Sequence, residues 1–202
     1  MARPREFDEA MALEAAMECF WARGYEATSV RDLAERMGIT GASLYNAFGD
    51  KRSLYRRSLD HYLDRSVRER VGRLGQLPPA EAIRAFFTEI VERSLADRRR
   101  RGCMLVNAAL EPAPQDAPFR KLVAQELAFI EAFFRACVAA GKREGTITSA
   151  RSADDLASHL LSVLLGLRVL ARVWPERRVL EGAVSGALAL LEGDDAGTVR
   201  RG

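Results

Sequence analysis

Thr40, Ser43, Tyr45, Asn46 and Lys51 bring three hydroxyls, an amide and an ammonium into one short stretch of this chain. Such groups donate and accept hydrogen bonds or pair with anions, but they make no nucleophile–base couple, because no His or Cys stands among them. At helical spacing Gly41, Ala42, Ser43, Tyr45 and Asn46 share an outward face, while Leu44 and Phe48 point inward. The outward face is small, rich in hydrogen-bonding groups and free of bulky charge. A surface of that shape fits the major groove of a DNA duplex, where base edges offer donors and acceptors.

The rest of the chain offers little reactive chemistry. Cys19, Cys103 and Cys137 are odd in number and lack CxxC spacing, which argues against a disulfide framework or zinc site and for a reducing compartment. His61 and His159 are isolated, so no metal site is expected. HExxH, P-loop and GxSxG patterns are absent and no cofactor is expected. A helical-bundle enzyme is the remote alternative, but it needs a titratable cluster that the apolar body of the chain hardly supplies. Cys103 follows the run Arg98 to Arg101, whose positive charge favours a thiolate. Against that, a lone helical cysteine is most often a small buried hydrophobe.

The hydrogen-bonding face needs a frame, and the flanking residues spell one. Ser29 and Asp32 form the S-x-x-D version of a capping box, opening a helix that buries Val30, Leu33, Ala34 and Met37. Gly38 supplies the positive φ wanted at that helix's end, and Ile39 plugs the turn. Thr40 then N-caps a short helix from Gly41 to about Phe48, and Asp50 caps a third. The result is a helix-turn-helix followed at once by a long helix.

The pattern Phe20-x3-Gly24-Tyr25-x2-Thr28-x-Val30-x2-Leu33-Ala34, then Gly38-Ile39-Thr40, then Leu44-Tyr45-x2-Phe48-x2-Lys51-x2-Leu54 resembles the TetR family of one-component bacterial regulators. The resemblance covers the first quarter of the chain densely. It implies that Thr28, Arg31, Tyr45 and Lys51 contact phosphates, while Thr40, Gly41, Ala42, Ser43 and Asn46 face the groove. Family members often carry a longer side chain where Gly41 stands, a departure that bears on direct base readout. Arg101-Gly102-Cys103-Met104-Leu105-Val106-Asn107 is similar to a segment of family members that respond to reactive electrophiles, which makes sensing through Cys103 an alternative reading.

Net charge is +3, and residues 1–75 carry acidic and basic side chains in nearly equal numbers, so affinity for DNA must come from local placement. Arg3, Arg5, Arg31, Lys51 and Arg52 are candidate phosphate partners. The N-terminus has no hydrophobic signal region, and no apolar run is expected to reach membrane-spanning length, because Arg168 and Arg172 interrupt the longest. A cytoplasmic protein without membrane partners is expected.

Every apolar segment has a helical period and none alternates as a strand does, which predicts an all-α chain of nine helices. Helices are expected over residues 8–23, across the helix-turn-helix, and over 51–74, 80–96, 103–109 and 119–140, followed by two more on either side of Pro175. Residues 1–50 are the expected DNA-binding domain, 51–193 a helical ligand-binding and dimerisation domain, and 194–202 a disordered tail. The penultimate helix is apolar on two sides and the last carries a broad stripe, more than one chain buries. A homodimer through Leu161, Leu165, Val169, Leu180, Val184, Ala187, Leu188 and Leu191 accounts for the surplus. In the resemblance these two helices form a four-helix bundle with the partner's.

A regulator of this kind needs a second state, which calls for a small-molecule inducer site in the body. Candidate lining residues are Tyr62, Phe86, Ile90, Cys103, Met104, Asn107, Phe129, Phe133 and Trp174; Asn107 stands out because its amide lies in an apolar run and must find a partner. The expected function is a repressor that binds a palindromic double-stranded operator as a homodimer and is released by an inducer.

Overall fold

The computed structural model describes residues 7–112 and 115–193. All regular structure among them is helical: α1 Glu9–Arg23, α2 Val30–Met37, α3 Gly41–Phe48, α4 beginning as Lys51–Leu63, α5 Pro79–Ala96, α6 Met104–Leu110, α7 Ala117–Glu144, α8 Ala153–Val173 and α9 Arg177–Ala189. From Leu63, α4 runs on through a π-helical turn, Asp64–Arg68, into Glu69–Leu74. The nine-helix, strand-free expectation holds for the described residues. Arg3, Arg5 and the tail at 194–202 lie outside them.

Helix boundaries follow local chemistry. Asp8 accepts the Ala10 and Met11 N–H groups at the start of α1, Ser29 and Asp32 complete their capping box, and Thr40 caps α3. Gly38 ends α2 in the left-handed conformation with φ 66°. Two departures from the sequence expectation have clear causes. The Ser66 hydroxyl donates to the Tyr62 carbonyl, four residues back, where the π turn interrupts α4. Gly141, just beyond the expected end of this helix at residue 140, lies inside α7: a Cβ there would come within 2.7 Å of the Ile147 side chain, so this glycine makes room for Ile147 and the helix runs on to Glu144.

The chain forms two compact units, one comprising Met1–Glu69 with Arg101–Val123 and the other Arg70–Arg100 with Ala124–Gly202. In the first, α1 packs on α2 and α4 around Phe20, Leu33, Leu44, Leu54 and Leu59. A chain of aromatic rings runs through it: Tyr55 meets Phe20 and Tyr25 edge-on at 4.9 Å each and Phe119 at 5.4 Å. The segment from Arg101 onward is fastened to α1. Arg101 lies 3.8 Å over the Trp21 ring and pairs with Glu18 at 2.7 Å, and Trp21 Nε1 donates to the Gly102 carbonyl.

In the second unit, α5, α8 and α9 pack together around Phe86, Phe87, Phe134, Leu160, Leu167 and Leu180. Lys142 Nζ donates to the carbonyls of Ser149 and Arg151, holding the turn between α7 and α8. Helix α8 is long and apolar enough to cross a membrane by length and composition alone, with mean hydropathy 1.6, which corrects the expectation that no run reaches that length. Arg168 and Arg172 interrupt the hydropathy but not the helix. Only a third of its most apolar window is buried within the chain, so an apolar face is left to cover.

Candidate nucleic-acid interface

Helix α3 presents the expected face. Leu44 and Phe48 are buried, whereas Ala42 and Asn46 are exposed and Tyr45 is 52% exposed. Thr40 Oγ1 accepts the Ser43 N–H at 3.1 Å and donates to Ser43 Oγ at 2.9 Å, leaving the Ser43 hydroxyl proton to point elsewhere. At Gly41 an added Cβ would meet nothing within 4 Å, so the backbone of the first turn is open to close approach. Arg31 is exposed as the second residue of α2. Lys51, the first residue of α4, holds its ammonium 4.4 Å above the Tyr25 ring. That position combines a cation with the N–H groups of a helix start, the elements of a phosphate contact.

Electrostatics stiffen the frame. Hydrogen bonds from the Ser29 hydroxyl and backbone, and then the Arg23 guanidinium, hold the Asp32 carboxyl down at about 2. A carboxyl depressed in the fold stabilises it fully above the unfolded value near 3.8 and loses that contribution as pH falls through about 2, so the α2 cap is intact at neutral pH. Asp50, which caps α4, is likewise lowered by the Ser53 N–H.

Thr28 is a correction. It is fully enclosed and its hydroxyl donates to the Gly24 carbonyl at 2.6 Å, so the side chain faces inward instead of toward a phosphate. The cause is its place in the turn before Ser29, where the buried carbonyl of Gly24 needs a donor. Arg52, another candidate cation, is engaged by Asp116 through two hydrogen bonds, one of them Nη2 to Oδ1 at 2.8 Å.

The inducer candidates divide between the units. Tyr62, Cys103, Met104 and Asn107 fall in the first, where Tyr62 OH donates to Cys103 Sγ at 3.7 Å and Asn107 Nδ2 donates to the Arg101 carbonyl. Phe86, Ile90, Phe129, Phe133 and Trp174 fall in the second; Phe129 and Trp174 are exposed there instead of lining an interior. The dimer candidates divide by exposure. Leu180, Val184, Ala187 and Leu191 are buried in the chain's own core, a correction with a simple cause: the α9 stripe packs on α5 and α8. Leu161, Leu165 and Leu188 are half-buried and Val169 is 47% exposed, with Val173 at 70% beyond it. Between α5 and α9 lies an open groove of about 410 Å³, with Arg84, Thr88 and Glu92 on one wall and Ser185, Leu188 and Ala189 on the other.

Two residues that matter here carried no sequence signal. Glu111 accepts the Tyr25 N–H at 2.6 Å and Asp116 holds Arg52, yet both lie in a Pro-rich stretch that has no periodicity and reads only as a loop. Their roles depend on contacts far apart in the chain.

The comparisons with known proteins agree with this geometry. A family model described as bacterial regulatory proteins, tetR family, matches residues 12–57, and a second, tetracyclin repressor-like C-terminal domain, matches residues 79–187. The HTH-type transcriptional regulator YezE of Bacillus subtilis is 31% identical over 196 residues, covering 95% of this chain and all of that one. The HTH-type transcriptional repressor ComR of Escherichia coli is 28% identical over 172 residues, 84% of this chain and 82% of its own length. Among solved structures, a cysteine-substituted form of the TetR family regulator CifR, complexed with a 26-base-pair double-strand operator DNA, is 36% identical with TM-score 0.83, covering 93% of this chain and 98% of that one. These relatives are transcriptional regulators. This chain belongs to the TetR family of DNA-binding, helix-turn-helix transcriptional regulators.

Proposed function

We propose that this protein is a cytoplasmic repressor that binds a palindromic operator as a homodimer and leaves it when a small-molecule inducer binds the helical body. The observation that carries the reading is the exposed α3 face of Ala42, Tyr45 and Asn46 beside Lys51 at the start of α4. Arg31 and Tyr45 serve as phosphate partners together with Lys51, and Gly41, Ala42, Ser43 and Asn46 approach base edges. A lone helix of this length contacts few bases, whereas a two-fold pair reads two half-sites about 34–36 Å apart. Release requires that the inducer bind more tightly to a state in which the two recognition helices no longer match that spacing.

An operator selected in vitro tests the surface. Lys51→Ala is expected to weaken binding to all sequences and to reduce the salt slope by about one charge, while Asn46→Ala alters sequence preference. Unchanged affinity for both Lys51→Ala and Tyr45→Phe removes the assignment. In the same assay Asp116→Asn frees the Arg52 guanidinium beside Lys51. The expected result is tighter binding with a salt slope steeper by about one charge; an unaltered slope means that Arg52 does not face DNA.

A second reading, an electrophile-sensing repressor, is favoured by one contact. Cys103 is only half-buried, and the Tyr62 hydroxyl that donates to its sulfur stabilises a thiolate. Cys103→Ser is then expected to abolish release by N-ethylmaleimide while leaving operator affinity intact; a serine variant that is still released refutes it.

A further inference from the structure

The exposed face of α3 lacks one kind of chemistry. Between Thr40 and Asp50 stand no charged side chain and no histidine. Arginine and lysine are the side chains that read guanine through its O6 and N7 acceptors, and a carboxylate is the group that accepts from the cytosine amine. Asp50 is engaged by the Ser53 N–H at 2.6 Å in capping α4, and Lys51 lies over the Tyr25 ring. Thr40 is spent as well, since its hydroxyl caps α3 and donates to Ser43. The single hydroxyls of Ser43 and Tyr45 can pair with more than one kind of base. What remains for discriminating base edges is the Asn46 amide and small apolar groups. Asn46 is exposed, and its amide has no hydrogen-bond partner among the described residues.

Packing fixes where these groups point. Burial of Leu44 and Phe48 locks the rotation of α3 about its axis, and the Thr40 cap fixes its start. Ala42 and Asn46 are four residues apart and both exposed, so they share one side of the helix, about 6 Å apart along its axis. Base pairs succeed one another about every 3.4 Å, so the two side chains reach adjacent or next-but-one pairs. An amide pairs in bidentate fashion with adenine N6 and N7, and an alanine methyl packs against the C5-methyl of thymine. Ala42 can come that close because its neighbour Gly41 projects no side chain, and the space where a Cβ would stand is empty for 4 Å around.

We infer that each operator half-site presents to α3 an adenine whose N6 and N7 pair with the Asn46 amide and, one or two base pairs away, a thymine whose methyl packs on Ala42, and that α3 reads no guanine. Such readout rests on the proposed placement of α3 in the major groove and sets the class of operator which that placement selects. The competing explanation is that Asn46 hydrogen-bonds to a phosphate, a contact that positions the protein and carries no base identity.

Selection of operators from a random duplex pool by the full chain, followed by titration at one fixed salt concentration, separates the two. The probes are the selected duplex carrying 7-deazaadenine at one adenine at a time, which removes N7, and uracil in place of thymine, which removes only the methyl. At one adenine of each half-site 7-deazaadenine is expected to weaken wild-type binding about tenfold, and Asn46→Ala is expected to be indifferent to it. Uracil one or two base pairs from that adenine is expected to cost about fourfold, an effect lost in Ala42→Gly. 7-Deazaguanine at guanines beside those pairs is expected to leave affinity unchanged. Insensitivity to 7-deazaadenine at every adenine, or a contrast that persists in Asn46→Ala, overturns the adenine assignment. Equal affinity for uracil and thymine overturns the Ala42 contact, and this comparison in the wild type decides it should Ala42→Gly fail to fold by circular dichroism. A chain that selects no operator overturns the placement of α3 and this readout together, whereas a selected operator without the adenine contrast overturns the readout alone.

Discussion

Gly24→Ala is expected to cost this protein a large share of its stability, on the order of 4 kcal/mol from backbone strain and a lost charged hydrogen bond together. Gly24 ends α1 at φ 86° and ψ 172°, a region that side chains other than glycine's hydrogen rarely enter. Its missing Cβ also leaves the space that Glu111 fills: an added carbon would stand 2.5 Å from Oε1 and 3.0 Å from Cδ. Glu111 cannot yield cheaply, because its Oε2 accepts the Tyr25 N–H and that bond aligns the chain entering the helix-turn-helix. Small domains hold only about 5–15 kcal/mol in reserve, so the loss is visible as a lower urea midpoint at unchanged slope. A double-mutant cycle isolates the cause. In a Glu111→Ala background the clash is gone and only the φ strain remains, so Gly24→Ala should cost clearly less there than in wild type. Strict additivity of the two changes would sink the steric argument.

That contact also marks where sequence reading stops. Capping residues are legible because their partners lie within three residues: Ser29 with Asp32, Thr40 with Ser43 and Asp50 with Ser53 are all found as the pattern predicts. The inward and outward faces of α3 are legible for the same reason, since helical periodicity is local. Glu111 and Asp116 act over separations of 86 and 64 residues, which no periodicity encodes. Thr28 departs from expectation because a hydroxyl beside a helix start can turn outward to an anion or inward to a carbonyl, and the buried Gly24 oxygen decides it. Arg70 has the opposite history: an arginine in a polar stretch carries no signal until its burial is seen. On α8 and α9 hydropathy finds the apolar residues but does not divide them between the chain's own core and a partner.

The exposed part of that division supplies the second large effect. Leu161, Leu165, Val169 and Val173 recur at four-residue spacing along α8 and retain exposure in the single chain, whereas Leu180 on α9 retains none. If a second copy covers the α8 face, Leu165→Arg places an unpaired cation in an apolar contact and, by two-fold symmetry, does so twice. Leaving one charge without a partner costs about 3–5 kcal/mol, which is a hundredfold or more in the dimer dissociation constant. Operator affinity should fall further still, because a monomer forfeits the linkage that makes binding of the second half-site effectively intramolecular. The folded monomer should nevertheless survive, since Leu165 is not among the fully enclosed residues. Leu180→Ala is the contrasting change: it opens a cavity in the chain's own core, costs about 2–5 kcal/mol of unfolding free energy and leaves the association constant of the folded molecules nearly unchanged. Sedimentation velocity and chemical denaturation of the two variants read these effects separately. A wild type that sediments as a monomer at micromolar concentration, or a Leu165→Arg variant that dimerises as wild type does, places the subunit contact elsewhere and leaves the apolar face of α8 to another partner.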